Sequence, residues 1–178
     1  MSSFANRVVQ AALLNPGIYE EIEADFSARA LLQALVVVLL SGIAAGIGTS
    51  RNFDLQPIVM MSAASVISWS IWALITMVIG TRLFAQPQTQ TDYEEMLRVL
   101  GFSASPGFLR ILGILPGFGG LILLISEIWM FAAMIIALRQ ALDYTSTLRA
   151  FGVCIVGWIV QLVLIALPLY LIGNMRGF

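Results

Sequence analysis

The chain has 178 residues, 60% of them hydrophobic and only 11% charged, with a net charge of −1. A soluble domain carries about 25% charged residues, so the composition points to one compact polytopic membrane domain and offers no basic patch for nucleic acid. With no His and a single Cys, Cys154, zinc sites of the Cys/His type, intrachain disulfides and Ser-His-Asp or Cys-His catalysis are excluded.

Residues 2–14 predict an amphipathic helix: Phe4, Val8, Val9, Ala12 and Leu13 recur at helical spacing, with Asn6, Arg7 and Gln10 between them. It is too short and too polar to span, and its apolar stripe suits the membrane interface. Asn15-Pro16-Gly17 ends it. A short acidic stretch, Glu20 to Asp25, follows, and Asp25 or Ser27 is placed to cap the next helix. No basic n-region precedes the first apolar run, which reads as an uncleaved signal anchor. Residues 1–27 are therefore expected to form a cytoplasmic or interfacial region, and 28–178 the transmembrane domain.

Span one is expected at about 28–47. It contains Gly42 and Gly46 in a GxxxG pattern, which lets helices approach closely and predicts packing within the chain before self-association. Span two is expected at about 58–80. Ser62, Ser65, Trp69, Trp72 and Thr76 step by three and four residues, so they share one face. Both indoles fall near mid-span and need acceptors inside the protein. Thr91-Asp92-Tyr93-Glu94 reads as a capping box that starts a helix carrying Glu95 and Arg98 to the membrane surface.

The most informative segment comes next. In the 40 residues from Val99 to Leu138, only Arg110 and Glu127 are charged. As one helix, these residues would reach about 60 Å, twice the roughly 30 Å of a bilayer core. The segment must turn back, and Pro116-Gly117-Phe118-Gly119-Gly120 is the place. Arg110 lies eight positions before Phe118 and Glu127 nine after it, so the two charges meet at similar depth. Before the turn, Pro106-Gly107 breaks the third span near its middle. Span four is expected at about 119–138 and span five at about 150–172, the latter bringing Gln161 into the bundle. An intramembrane polar cluster of Arg110, Glu127, Gln161, Trp69 and Trp72 is the candidate site, since ionisable groups at depth are functional by default.

With five spans, Arg7, Arg29, Arg82, Arg98, Arg139 and Arg149 share one side, and Arg51, Arg110 and Arg176 the other. The excess places the N-terminus in the cytoplasm. If span three were re-entrant, four spans would remain and the same orientation would follow.

Several of these residues resemble the Yip family, membrane proteins first named for interacting with Ypt/Rab GTPases. Gly101-Phe102-Ser103-Ala104-Ser105-Pro106 is similar to the family's GYxxxP motif in the third span, with Phe102 for Tyr. Asn15-Pro16 with the acidic stretch resembles the N-terminal region of the family's prokaryotic branch, and the layout of five closely spaced spans resembles the family as a whole. The eukaryotic DLYGP motif is absent, Asp25-Phe26-Ser27-Ala28-Arg29 standing in its place. The resemblance implies a multi-pass membrane protein of trafficking or membrane organisation, of bacterial type, with no catalytic residues and no cofactor. Its expected partners are the lipid bilayer and other membrane proteins or further copies of itself.

The expected fold is therefore all-α: five transmembrane helices, the third broken at Pro106, plus the N-terminal amphipathic helix. Two functions compete. One is a non-catalytic scaffold in which Arg110–Glu127 clasps spans three and four, with Trp69, Trp72 and Gln161 completing the hydrogen bonds. The other is a small ion or proton-coupled transporter using Glu127. An intramembrane enzyme is disfavoured, because no second carboxylate lies in the membrane region.

Overall fold

The computed structural model describes residues 2–50 and 54–175, with side chains as far as Leu164. Arg51 and Arg176, two of the three arginines assigned to the outer side, lie outside the described residues. Among these residues the chain is all-helical. The elements are α1 (Phe4–Ala12), α2 (Pro16–Glu23), α3 (Ala28–Thr49), α4 (Leu55–Arg82), α5 (Tyr93–Phe102), a 3-10 helix (Ser105–Ile114), α6 (Gly119–Ala141) and α7 (Thr147–Met175). Four of them, α3, α4, α6 and α7, are long and apolar enough to cross a membrane, and α5 with the 3-10 helix forms a bent pair at 42°.

The bent pair follows α3 from end to end. Gly101 faces Ala34, Gly107 faces Ser41, and Gly113 faces Gly48. Both numbers rise together, so the broken segment runs parallel to α3 and ends at its opposite end. A re-entrant loop would return to the end it left. Ten α-helical residues and ten 3-10 residues also cover about 15 and 20 Å, enough for a bilayer core. The third span is thus a crossing, broken just before Pro106, and the spans among the described residues number five.

The break is built from the sequence around it. Pro106 has no N–H to offer the carbonyl four residues earlier, which belongs to Phe102. The Ser105 hydroxyl donates to that carbonyl instead, at 2.6 Å, and the Ser103 hydroxyl donates to the Leu100 carbonyl at 2.7 Å. Freed backbone groups in hydrocarbon need such replacements. A Cβ on Gly101 would sit 2.6 Å from the Ala34 Cβ, and one on Gly107 would sit 2.8 Å from the Met130 sulfur, so both glycines are needed for the broken span to lie against its neighbours. Phe102 is fully buried and meets Phe4 edge-on at 6.3 Å. After the 3-10 helix, Gly117 turns the chain with φ +81°, a conformation open to glycine at little cost.

The α3–α4 contact uses the GxxxG glycines. A Cβ on Gly42 would sit 2.7 Å from the Ser62 Cα, and one on Gly46 would lie 2.9 Å from the Ile58 nitrogen. These glycines therefore serve packing between spans one and two of the same chain. Of the predicted α4 face, Trp72 and Thr76 are buried, while Ser62, Ser65 and Trp69 are half-buried.

Two local expectations need correction. The cap of α5 is Asp92, one residue later than the box read at Thr91: its carboxylate accepts from the Glu95 backbone N–H at 2.8 Å, and the Thr91 hydroxyl donates to the Glu95 side chain at 2.7 Å. Glu95 and Arg98 are also buried, Arg98 to 2% exposure, where a surface position was expected. The cause is α2, which covers that end of α5. Arg98 reaches the Glu23 carbonyl at 3.4 Å and lies over the Phe26 ring.

The amphipathic α1 is present, and Asn15 caps α2 at the predicted turn. The two helices form a hairpin clamped by Arg7, which is 3% exposed. Its guanidinium pairs with Asp25 at 2.8 Å and Glu21 at 3.0 Å, and donates to Gln33 of α3 at 3.2 Å. Trp129 of α6 donates to the Ala12 carbonyl at 2.8 Å. Ser27 caps α3, its hydroxyl accepting from the Ala30 N–H at 3.2 Å, while Asp25 accepts from Ser27.

Substituting Ser105→Ala leaves the Phe102 carbonyl without a donor beside the proline. We expect a loss of about 1–3 kcal/mol, the penalty of one buried unsatisfied group, read as a lower unfolding midpoint in lipid nanodiscs. Ser70→Ala, whose hydroxyl only supplements an intact helix by donating to the Val66 carbonyl, should leave the midpoint unchanged.

Candidate functional site

Arg110 comes from the 3-10 helix and Glu127 from α6, on either side of the Leu115–Phe118 turn. One guanidinium nitrogen lies 2.5 Å from one Glu127 oxygen. The two residues differ sharply in surroundings: the Arg110 side chain is 12% exposed and that of Glu127 is 61% exposed. Glu127 is the ninth residue of α6, about 12 Å along it, well inside the span.

The pair stands on the wall of a cleft of about 380 Å³ bounded by α3, α4, the broken third span, α6 and α7. All five cluster residues, Arg110, Glu127, Gln161, Trp69 and Trp72, line it. The hydrogen bonding differs from the expected network. The Trp69 indole N–H donates to the Leu97 carbonyl at 3.1 Å, away from the ion pair. The Trp72 indole N–H and the Arg110 Nε–H, both buried, have no partner. Gln161 makes no hydrogen bond among the described residues. Ser41 also lines the cleft with a buried and unpartnered hydroxyl. Its position is set by Gly107, whose missing side chain leaves room for it. Of the motif residues Gly101, Phe102 and Pro106, none lines the cleft; they shape the span that carries Arg110.

A second cavity of about 540 Å³ lies at the other end of the bundle, lined by Glu20, Glu23, Glu95, Asp143 and Arg139. Arg139 turns back to the Tyr144 carbonyl and Arg149 to the Phe84 carbonyl, so with Arg7 and Arg98 the arginines gather at this end. Burial, together with the charges of Glu95, Asp143 and Glu20, pushes the Glu23 carboxyl up to about 7. Glu21 and Asp25 are held below the usual carboxylate range, Glu21 chiefly by hydrogen bonds from Ser2 and Asp25 chiefly by one from Ser27, with Arg7 adding to both. Among the described residues no group of His, Cys, Asp and Glu is arranged to hold a metal ion.

Comparison with known proteins gives one result. The family model described as Yip1 domain matches residues 11–167, from within α1 to within α7. No curated protein and no solved structure matches the chain.

The carboxylate shifts set a pH profile. Glu23 binds its proton more tightly in the folded state, so stability falls as pH rises from about 4.5 through about 7. Glu21 and Asp25 act in the opposite sense: their contribution is present above the usual carboxylate range and is lost in acid. The unfolding midpoint should therefore peak near pH 5 and decline toward pH 8. Glu23→Gln should make the decline shallower and leave the acid limb in place, as thermal unfolding in detergent across pH 3–9 will register.

Proposed function

Since the chain belongs to the Yip family of multi-pass membrane proteins, we propose that it is a non-catalytic scaffold that organises membrane or membrane-protein partners, in the bacterial cytoplasmic membrane with its N-terminus inside. Residues 1–27 then belong to the cytoplasmic interface. The arginines gathered at the hairpin end of the bundle support this orientation.

The observation that carries the scaffold reading is the ion pair. Arg110 and Glu127 sit on consecutive spans and answer each other directly, which is what a broken span needs to stay against its neighbour. Broad apolar faces remain on the outside of α4 and α6, including Val59, Ile67, Leu124 and Ile128, and these meet lipid or the spans of other proteins. A transport reading is supported by the 61% exposure of Glu127 in an open cleft, since a carboxylate at depth can carry a cation or proton.

One experiment separates the two. Wild type and Glu127→Gln are reconstituted into liposomes, and proton and cation flux are followed together with folded yield. A scaffold gives no flux above empty liposomes, and Glu127→Gln gives a lower folded yield because Arg110 loses its partner. The double substitution Arg110→Met with Glu127→Leu should recover much of that yield, since no charge is left uncompensated. Flux in the wild type that vanishes in Glu127→Gln, with the fold intact, overturns the scaffold reading in favour of transport.

A further inference from the structure

The walls of the 380 Å³ cleft carry a chemical imbalance. Three buried donors have no acceptor: the Ser41 hydroxyl, the Trp72 indole N–H and the Arg110 Nε–H. An indole and a guanidinium can donate but cannot accept. Ser41 is 2% exposed and Trp72 9% exposed, so neither is simply facing the bilayer. Buried donors left unpaired are costly, and each specific case in a native protein calls for a partner. These donors lie just beneath the cleft wall, so a ligand reaches them by displacing it; the acceptors they lack are oxygens, and the Arg110 guanidinium favours anionic ones.

The rim asks for the opposite charge. Glu127 meets Arg110 through one oxygen and is 61% exposed at mid-span. An ionised carboxylate facing hydrocarbon is expensive, and a second cation at that oxygen would relieve it. Anionic acceptors inside and a cation at the rim are the complement of a zwitterion. Beside Ser65, Ser68, Ser103 and Gln161, the remaining lining is apolar and pliable, with Met61, Met130, Met134 and Phe131, and methionines adapt readily to irregular chains. The volume falls in the range of small-ligand sites. Met61, Glu127 and Trp158 line the cleft and are exposed, so it opens sideways toward the bilayer.

We propose that this cleft binds one phospholipid with an ammonium headgroup, of the phosphatidylethanolamine type, its phosphate oxygens meeting Arg110 and Ser41, its ammonium meeting Glu127, and its glycerol ester region meeting Trp72. The site shares the ion pair with the scaffold reading but does not depend on it: a scaffold without a lipid here, or a transporter with one, are both coherent.

The test uses the full chain in detergent, depleted of lipid and then incubated with phosphatidylethanolamine, phosphatidylcholine or phosphatidylglycerol micelles of matched acyl chains. Bound lipid is counted by native mass spectrometry. We expect one tightly held phosphatidylethanolamine, retained about tenfold better than phosphatidylglycerol, the equivalent of about one charge-assisted hydrogen bond. Phosphatidylcholine, whose quaternary ammonium cannot donate to Glu127, should fall between them. Trp72→Phe and Ser41→Ala leave the ion pair in place and should each lower retention several-fold, while Ser41→Ala, which removes an unpaired buried donor, should not lower the unfolding midpoint in the lipid-free state. Equal retention of the three lipids, a preference for phosphatidylglycerol, or retention untouched by both substitutions overturns the proposal. Because these two variants spare Arg110 and Glu127, their outcome stands apart from the flux and yield of Glu127→Gln.

Discussion

Hydrocarbon offers no water to a backbone carbonyl, and Pro106 places one such carbonyl in the middle of a span. Much of the surrounding structure answers that fact. The Ser105 hydroxyl takes the Phe102 carbonyl, and Ser103 takes that of Leu100. Glycines at 101, 107 and 113 let the broken span lie against α3 over its whole length. The 3-10 path beyond the proline then delivers Arg110 to Glu127, and the ion pair holds the half of the third span beyond the break against α6. The proline, the serines, the glycines and the charge pair form one connected solution to one missing N–H.

The N-terminal hairpin belongs to the same construction. Phe102, the aromatic of the family-like motif, packs on Phe4 of α1. Arg7 ties α1 to α2 and to Gln33 at the start of α3, and Trp129 of α6 reaches the end of α1. The family match begins at residue 11, inside this hairpin. The hairpin thus contacts the spans on both sides of the break, and it buries Arg98 and Glu95 at the foot of the third span.

The sequence makes the spans legible because their length and polarity are set by a single external constant, the thickness of the bilayer. The adjacency of Arg110 and Glu127 follows from simple counting, since two charges equidistant from a forced turn have few other places to go. What stays hidden is partner choice across elements. Arg7 occupies the polar stripe of an amphipathic helix, and nothing local says that Glu21, Asp25 and Gln33 will close over it. Arg98 reads as a surface residue until α2 covers it. Trp69 and Trp72 need acceptors, yet only the structure shows that Trp69 finds Leu97 while Trp72 finds none. A serine in an apolar run carries little signal, so the roles of Ser41 and Ser105 are visible only beside Gly107 and Pro106. The Asp92 cap differs from the expected box by one residue because the Asp92 carboxylate, not the Thr91 hydroxyl, takes the first free N–H of α5 that a side chain reaches, that of Glu95.

The 3-10 helix has a consequence for length. Ten residues wound this way cover about 20 Å, whereas the same ten as an α-helix cover about 15 Å. The difference, about 5 Å, is close to one α-helical turn. Ser105–Ile114 therefore stores a fixed increment of travel, and recoiling it would draw Arg110 out of register with Glu127. The ion pair is in this sense a ruler: Arg110 meets Glu127 at the depth that the 3-10 pitch of the third span gives it.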